Sequence, residues 1–167
     1  MIRRITAGLS LAAALLMSPG AAAAQQSRSA EGEFRWVFEV LNDIIFMVQS
    51  PPLTVAPSGP VEVWVWTFYR TPEDMPGFGN RDSMAIRTRV NCQAGTRERL
   101  RYEAFLGDAF VGAFNHSGQP APSTPDTASS EIVRVVCEPG YGDGVLILAD
   151  LAIARAAARA HFEGDYP

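Results

Sequence analysis

The sequence predicts an α+β domain: an antiparallel sheet of about five to six strands packed by a helix, a C-terminal alanine-rich helix, and one disulfide. Three observations carry this expectation. Short segments rich in β-branched and aromatic residues succeed one another from Phe34 to Phe114, separated by turn-prone residues. Helical periodicity begins only after Thr124, so the strands come first and the helices last. Of the two cysteines, Cys92 falls in the strand region and Cys137 in the helical one.

The opening segment reads as a leader rather than as part of the fold. Arg3 and Arg4 precede an apolar stretch from Ile5 to Met17, and Ser18, Pro19 and Gly20 break it before the small residues Ala21 to Ala24. This is the pattern of a secretory signal peptide over residues 1–24, with Ala22 and Ala24 as the small pair before the cut. The stretch is shorter than the roughly 20 apolar residues of a membrane-spanning helix. No cysteine follows it to accept a lipid. The expected product is therefore periplasmic or secreted, not lipid-anchored, and without a transmembrane segment. Residues 25–33 read as a flexible arm, 34–141 as the main domain, and 142–167 as a C-terminal helix and tail.

Phe34 to Val40 and Ile44 to Gln49 form the first two expected strands, joined at Asn42-Asp43. After a loop rich in proline, Val61 to Arg70 is the clearest strand. Val63 and Val65 point to one side, Trp64, Trp66 and Phe68 to the other, so this strand is expected to be central and covered on both faces. The aromatic row is expected in the core, with an exposed recognition platform as the alternative. Thr71 to Ser83, with two prolines and two glycines, reads as a long excursion. Met84 to Cys92 and Thr96 to Leu106 then form a hairpin through Gln93-Ala94-Gly95, and Ala109 to Phe114 completes a meander. Strict alternation places Met84, Ile86, Val90, Cys92, Leu100, Tyr102 and Leu106 inward.

Thr124, followed by Pro125 and Asp126, marks a helix entrance, and the helix to Cys137 carries Ile132, Val133, Val136 and Cys137 on one stripe. Gly142-Asp143-Gly144 resets the chain before a second helix, Val145 to Phe162. In an exported protein the two cysteines are expected to form a disulfide that ties the first helix to the sheet, the alternative being a reactive pair.

Composition and motifs narrow the function. With 47% hydrophobic and 19% charged residues, the chain is neither disordered nor collagen-like nor polytopic. Its net charge is −4 and argues against nucleic acid as a partner. Every basic residue apart from the two histidines is arginine, the side chain that forks onto carboxylate, phosphate or sulfate. No GxSxG, HExxH, phosphate-loop or dinucleotide fingerprint occurs, and neither a cofactor nor a metal is implied. His116 and His161 are expected at the surface, so no catalytic residue is assigned and no enzyme is expected. The alternating phase of the hairpin places Arg87 and Arg89 on one strand beside Arg97, Arg99 and Arg101 on the next. Five arginines on one face would need acidic neighbours or an anionic ligand. They are the candidate contact for a polyanion or an acidic extracytoplasmic protein.

Trp36-Val37, Val63-Trp64-Val65, Arg89-Val90-Asn91-Cys92, Tyr102 and the proline-serine-threonine helix entrance leading to Val136-Cys137 together resemble the bacterial surface-adhesin protein E family. The resemblance spans roughly Phe34 to Cys137. It implies an antiparallel sheet packed by helices, a Cys92 to Cys137 bridge, and an extracytoplasmic binding role without catalysis, toward host matrix proteins such as vitronectin and laminin in its surface-anchored members. The expected function is thus an exported binding module of the cell envelope. The alternative is an envelope assembly component acting by protein–protein association, homo-oligomers included.

Overall fold

The computed structural model describes residues 33–40, 43–50, 56–141 and 146–164. The expected signal peptide, nearly all of the arm, Asn42 and the Gly142-Asp143-Gly144 reset lie outside these residues. The first two strands are β1 (Glu33–Val40) and β2 (Ile44–Ser50). Four more follow in β3 (Val61–Met75), β4 (Gly79–Asn91), β5 (Thr96–Leu106) and β6 (Ala109–Asn115). The two-residue β7 (Ala121–Pro122) precedes helix α1 (Ala128–Cys137), and the two-residue β8 (Ile147–Leu148) precedes helix α2 (Leu151–Glu163). The sheet runs β6-β5-β4-β3-β2-β1-β8 with every pairing antiparallel, and β7 extends the outer edge along β5. This is the expected α+β architecture with two short strands added.

β3 lies at the middle of the sheet and is covered on both faces. On one face Val63 and Val65 join Val48, Ile86, Val90 and Tyr102 beneath Ile132, Val133, Val135 and Val136 of α1. On the other, Trp66 and Phe68 join Phe34, Ile45, Met47 and Phe105 beneath Ala154, Ala157 and Ala158 of α2. The small alanines let α2 sit close over these large rings, so the volume that the helix lacks is supplied by the sheet. Trp66 is 1% exposed, and its indole Nε1 donates to Gln49 Oε1 at 2.9 Å.

Several expectations change in detail. The Thr71 to Ser83 excursion is an extension of the β3–β4 hairpin, paired through Glu73↔Arg81 and Met75↔Gly79, with the turn at Pro76-Gly77-Phe78. Pro72 is tolerated because the ladder is irregular between Phe68 and Glu73, and β2 no longer pairs beyond Tyr69. Phe78 folds back onto β6 and packs against Phe114, the two rings tilted with centroids 5.3 Å apart. A Cβ on Gly112 would come within 2.7 Å of the Phe78 ring, so the glycine permits that approach. Helix α1 starts after Thr127 rather than at Pro125. Asp126 has φ of 56°, which no helix accepts, and Thr127 takes the cap in a reciprocal box with Ser130. Helix α2 starts at Leu151, not Val145, because Ile147 and Leu148 pair with Arg35 and Phe34 of β1 first. Asp150 caps α2 by accepting from the Ile153 N–H at 2.8 Å. Leu106, expected inward, is 43% exposed at the β5–β6 turn.

Cys92 and Cys137 form the expected disulfide, with Cα atoms 5.3 Å apart. It ties the end of α1 to the segment just after β4. Among the described residues no helix is long and apolar enough to cross a membrane.

Candidate functional site

The geometry of β5 decides where the arginines go. Arg87 pairs with Arg101, but Thr88 pairs with Arg99, so Leu100 is an extra residue on β5. One extra residue reverses the phase of the side chains on either side of it. The five arginines therefore do not share a face. Arg87, Arg89 and Arg101 lie on the α2 side of the sheet, whereas Arg97 and Arg99 lie on the α1 side, opposite Val90 and Thr88. The bulge is held from outside, since the His116 N–H donates to the Leu100 carbonyl at 2.8 Å.

The two groups differ in electrostatics. Arg89 donates to Glu62 and Glu98, each at 2.9 Å, and Arg87 also reaches Glu62. Arg101 pairs with Glu103 at 2.9 Å and donates to Asn115. Burial pushes the Glu62 carboxyl up, but the hydrogen bonds from Arg89 and Arg87 outweigh it and hold the group below its ordinary value. Arg89 is correspondingly raised by its bond to Glu62. This row is an internally neutralised ladder of arginines and glutamates.

Arg97 and Arg99 have no such neutralisation: neither makes an ion pair with any described residue. Arg97 Nε donates to the Ser129 hydroxyl on α1, and Arg99 donates to the Tyr102 hydroxyl at 3.2 Å. Burial, and then the neighbouring charge of Arg99, hold Arg97 below the usual guanidinium range. Both line a cleft of about 620 Å³ between the sheet and the first turn of α1. Its large apolar lining is Phe46, Val65, Ile86 and Ile132, beside the buried Thr88, whose hydroxyl donates to the Ile86 carbonyl. Its mouth carries His116, Gln119 and the hydroxyl-bearing Thr124, Thr127 and Ser129. Among the described residues no carboxylate lines it.

The walls of the cleft are fixed by local bonds. The Ser123 N–H donates to the Gly95 carbonyl at 3.2 Å, and the Thr127 hydroxyl donates to the Thr124 carbonyl at 2.7 Å. Tyr102 stacks on Phe114 at 4.5 Å and meets His116 edge-on at 5.6 Å, so the ring that carries the Arg99 contact is itself held. The arrangement offers two adjacent guanidinium groups, hydroxyl donors and a helix amino end around one volume, which favours an anion.

The remaining sequence candidates fall elsewhere. Trp66 and Phe68 are in the core, and Trp64 is half-buried against the same cluster, so the row does not form an open platform. His161 faces Glu39 at 2.9 Å on the α2 side. Of the other lining residues, the sequence places His116 at the surface without a role, reads Thr124 only as a helix entrance, and does not mark Ser129. Their only signal was position, in a polar loop followed by a helix entrance, and loops of that kind carry no chemistry until the strand beside them is placed. Among the described residues no three histidine, cysteine, aspartate or glutamate side chains gather as a metal site. Comparison with protein-family models, curated proteins and solved structures gives no match.

Proposed function

We propose that this chain is an exported binding module of the cell envelope that captures an anion-bearing ligand, without transforming it, through Arg97 and Arg99. The observation that carries the reading is the contrast within one hairpin. Three arginines are neutralised by glutamates, while the two that line the cleft are left without a carboxylate, and one of them, Arg97, is partly desolvated. Holding two like charges together in that position costs stability, and an anionic ligand offsets the cost. The disulfide supports an oxidising, extracytoplasmic setting, and the resemblance to the surface-adhesin protein E family supports a binding role.

The test is a sulfate titration of the oxidised protein, followed by NMR of the arginine Nε–H signals. Arg97 and Arg99 are expected to shift saturably, with Arg87, Arg89 and Arg101 unmoved. Shifts confined to the paired row, or none, would overturn the reading.

A second reading, assembly through a sheet edge, draws on the exposed Leu106, Phe110 and Val111 at the β5–β6 end. The β6 ladder skips Val111 between Phe110 and Gly112, and such a bulge disfavours continuous pairing with another strand. A mass that rises across a concentration series would favour this reading over the first.

A further inference from the structure

The volume of the cleft and the composition of its lining say more about the ligand than its charge does. We infer that the ligand is a small organic anion, with its carboxylate, sulfate or phosphate group on Arg97 and Arg99 and an apolar body reaching toward Phe46, Ile86 and Ile132. The inference rests on the anion-binding reading above and narrows it.

Three observations carry it. The cleft, at about 620 Å³, is far larger than a bare anion needs and lies within the roughly 300–1,000 Å³ typical of small-molecule sites. Its charged and hydrogen-bonding side chains come from β5, the loop after β6 and the start of α1, while β2, β3, β4 and the second turn of α1 supply Phe46, Val65, Ile86 and Ile132, with the Thr88 hydroxyl already spent on the Ile86 carbonyl. A ligand that matched only the polar groups would leave the apolar lining wetted, and burying that surface is favourable only for an apolar group. The third observation excludes the main competitor. An extended polyanion such as a sulfated polysaccharide needs a run of available arginines on an open surface. The row that has this form, Arg87, Arg89 and Arg101, is already occupied by Glu62, Glu98 and Glu103. The two arginines without carboxylates line a concavity instead: Arg97 bonds Ser129 of α1 and pairs with Ala121 of β7, and Arg99 stands at the exposed rim on the Tyr102 hydroxyl.

The experiment uses the oxidised protein and calorimetric titration with inorganic sulfate and with butyl, hexyl and octyl sulfate, with octanol and heparin as comparisons. The affinity of the alkyl sulfates is expected to rise by about fourfold per methylene until the apolar part of the cleft is filled. Arg97→Gln with Arg99→Gln is expected to weaken octyl sulfate binding by roughly tenfold or more. Phe46 lines the apolar part of the cleft, and Phe46→Trp, which fills more of it, is expected to flatten the chain-length dependence while inorganic sulfate still binds.

The alternative outcomes separate the two readings. If inorganic sulfate and all the alkyl sulfates bind alike, the organic body is refuted and the anion module stands. Heparin binding more tightly than octyl sulfate, and lost in the same double variant, replaces the small ligand with a polyanion. Octanol matching octyl sulfate, with no effect of the arginine variants, overturns both readings, as does the absence of binding by every probe.

Discussion

Removing the disulfide is the perturbation whose magnitude follows most directly from the fold. Cys92 and Cys137 are 45 residues apart, and the segment between them contains β5, β6, β7 and nearly all of α1. Arg97, Arg99 and His116 are all inside it. In the chain-entropy account a cross-link across such a loop restricts the unfolded chain by about 4 kcal/mol, an upper figure against a typical total of roughly 5–15 kcal/mol. Cys92→Ala with Cys137→Ala is therefore expected to lower the urea midpoint by roughly 2 M, taking m as about 2 kcal/mol per M. The assay is equilibrium unfolding by tryptophan fluorescence, since Trp66 lies in the core and reports on the whole sheet. Because the effect falls on the unfolded chain, the folded cleft should keep its geometry, and Arg97 and Arg99 should still respond to sulfate. A midpoint change of less than about 0.5 M at unchanged m would refute the entropic reasoning. A large change accompanied by loss of the arginine response would refute its second half, because the bridge would then be shaping the cleft itself.

Two further predictions concern charge. Glu62 ionises at lower pH in the folded protein than in the unfolded chain, so its contribution is complete above the ordinary carboxylate pKa and is lost as pH falls through the folded value. The stability difference between wild type and Glu62→Gln, from urea midpoints, should shrink between about pH 6 and about pH 3, and a constant difference would contradict the pairing. Arg97→Met removes a partly desolvated cation from beside Arg99 and retains much of its volume, so it should raise the midpoint by the equivalent of roughly 0.5–1 kcal/mol while abolishing the sulfate response. A fall in stability would mean that the Ser129 contact outweighs the electrostatic cost.

What could be read from the sequence depended on whether a residue's role was set locally. β3 announced its central place because Val63 and Val65 alternate with Trp64, Trp66 and Phe68, and only a strand buried twice carries large apolar groups on both sides. The cysteines could be paired because, in a chain expected to be exported, two thiols leave little choice. The hairpin beyond Arg70 was unreadable for the opposite reason. It is solvated over most of its length, so no hydrophobic alternation marks it, and its prolines and glycines resemble a loop. The start of α1 was misplaced by three residues because Pro125 is acceptable in a first turn, and only the positive φ of Asp126 rules it out. The early part of α2 lost Ile147 and Leu148 to a long-range pairing with β1, which no local propensity records.

The cleft depends on a feature of the same non-local kind. Alternation counted through Thr96 to Leu106 is correct on either side of Leu100, and the error lies entirely in treating that residue as paired. Without the extra residue all five arginines would share one surface with Glu62 and Glu103 alone, since Glu98 would alternate to the other face: two acids for five cations. With it, Glu62, Glu98 and Glu103 serve Arg87, Arg89 and Arg101, and the two surplus charges pass through the sheet to the face that α1 only partly covers. The bulge costs a ladder position, and the Leu100 carbonyl is satisfied instead by the His116 N–H, so the loop that closes the cleft is also the one that fixes the bulge. Placing the surplus charge and building the wall around it are thus one structural event. For this reason a bulge beside a binding surface is better treated as part of the site than as a flaw in the sheet.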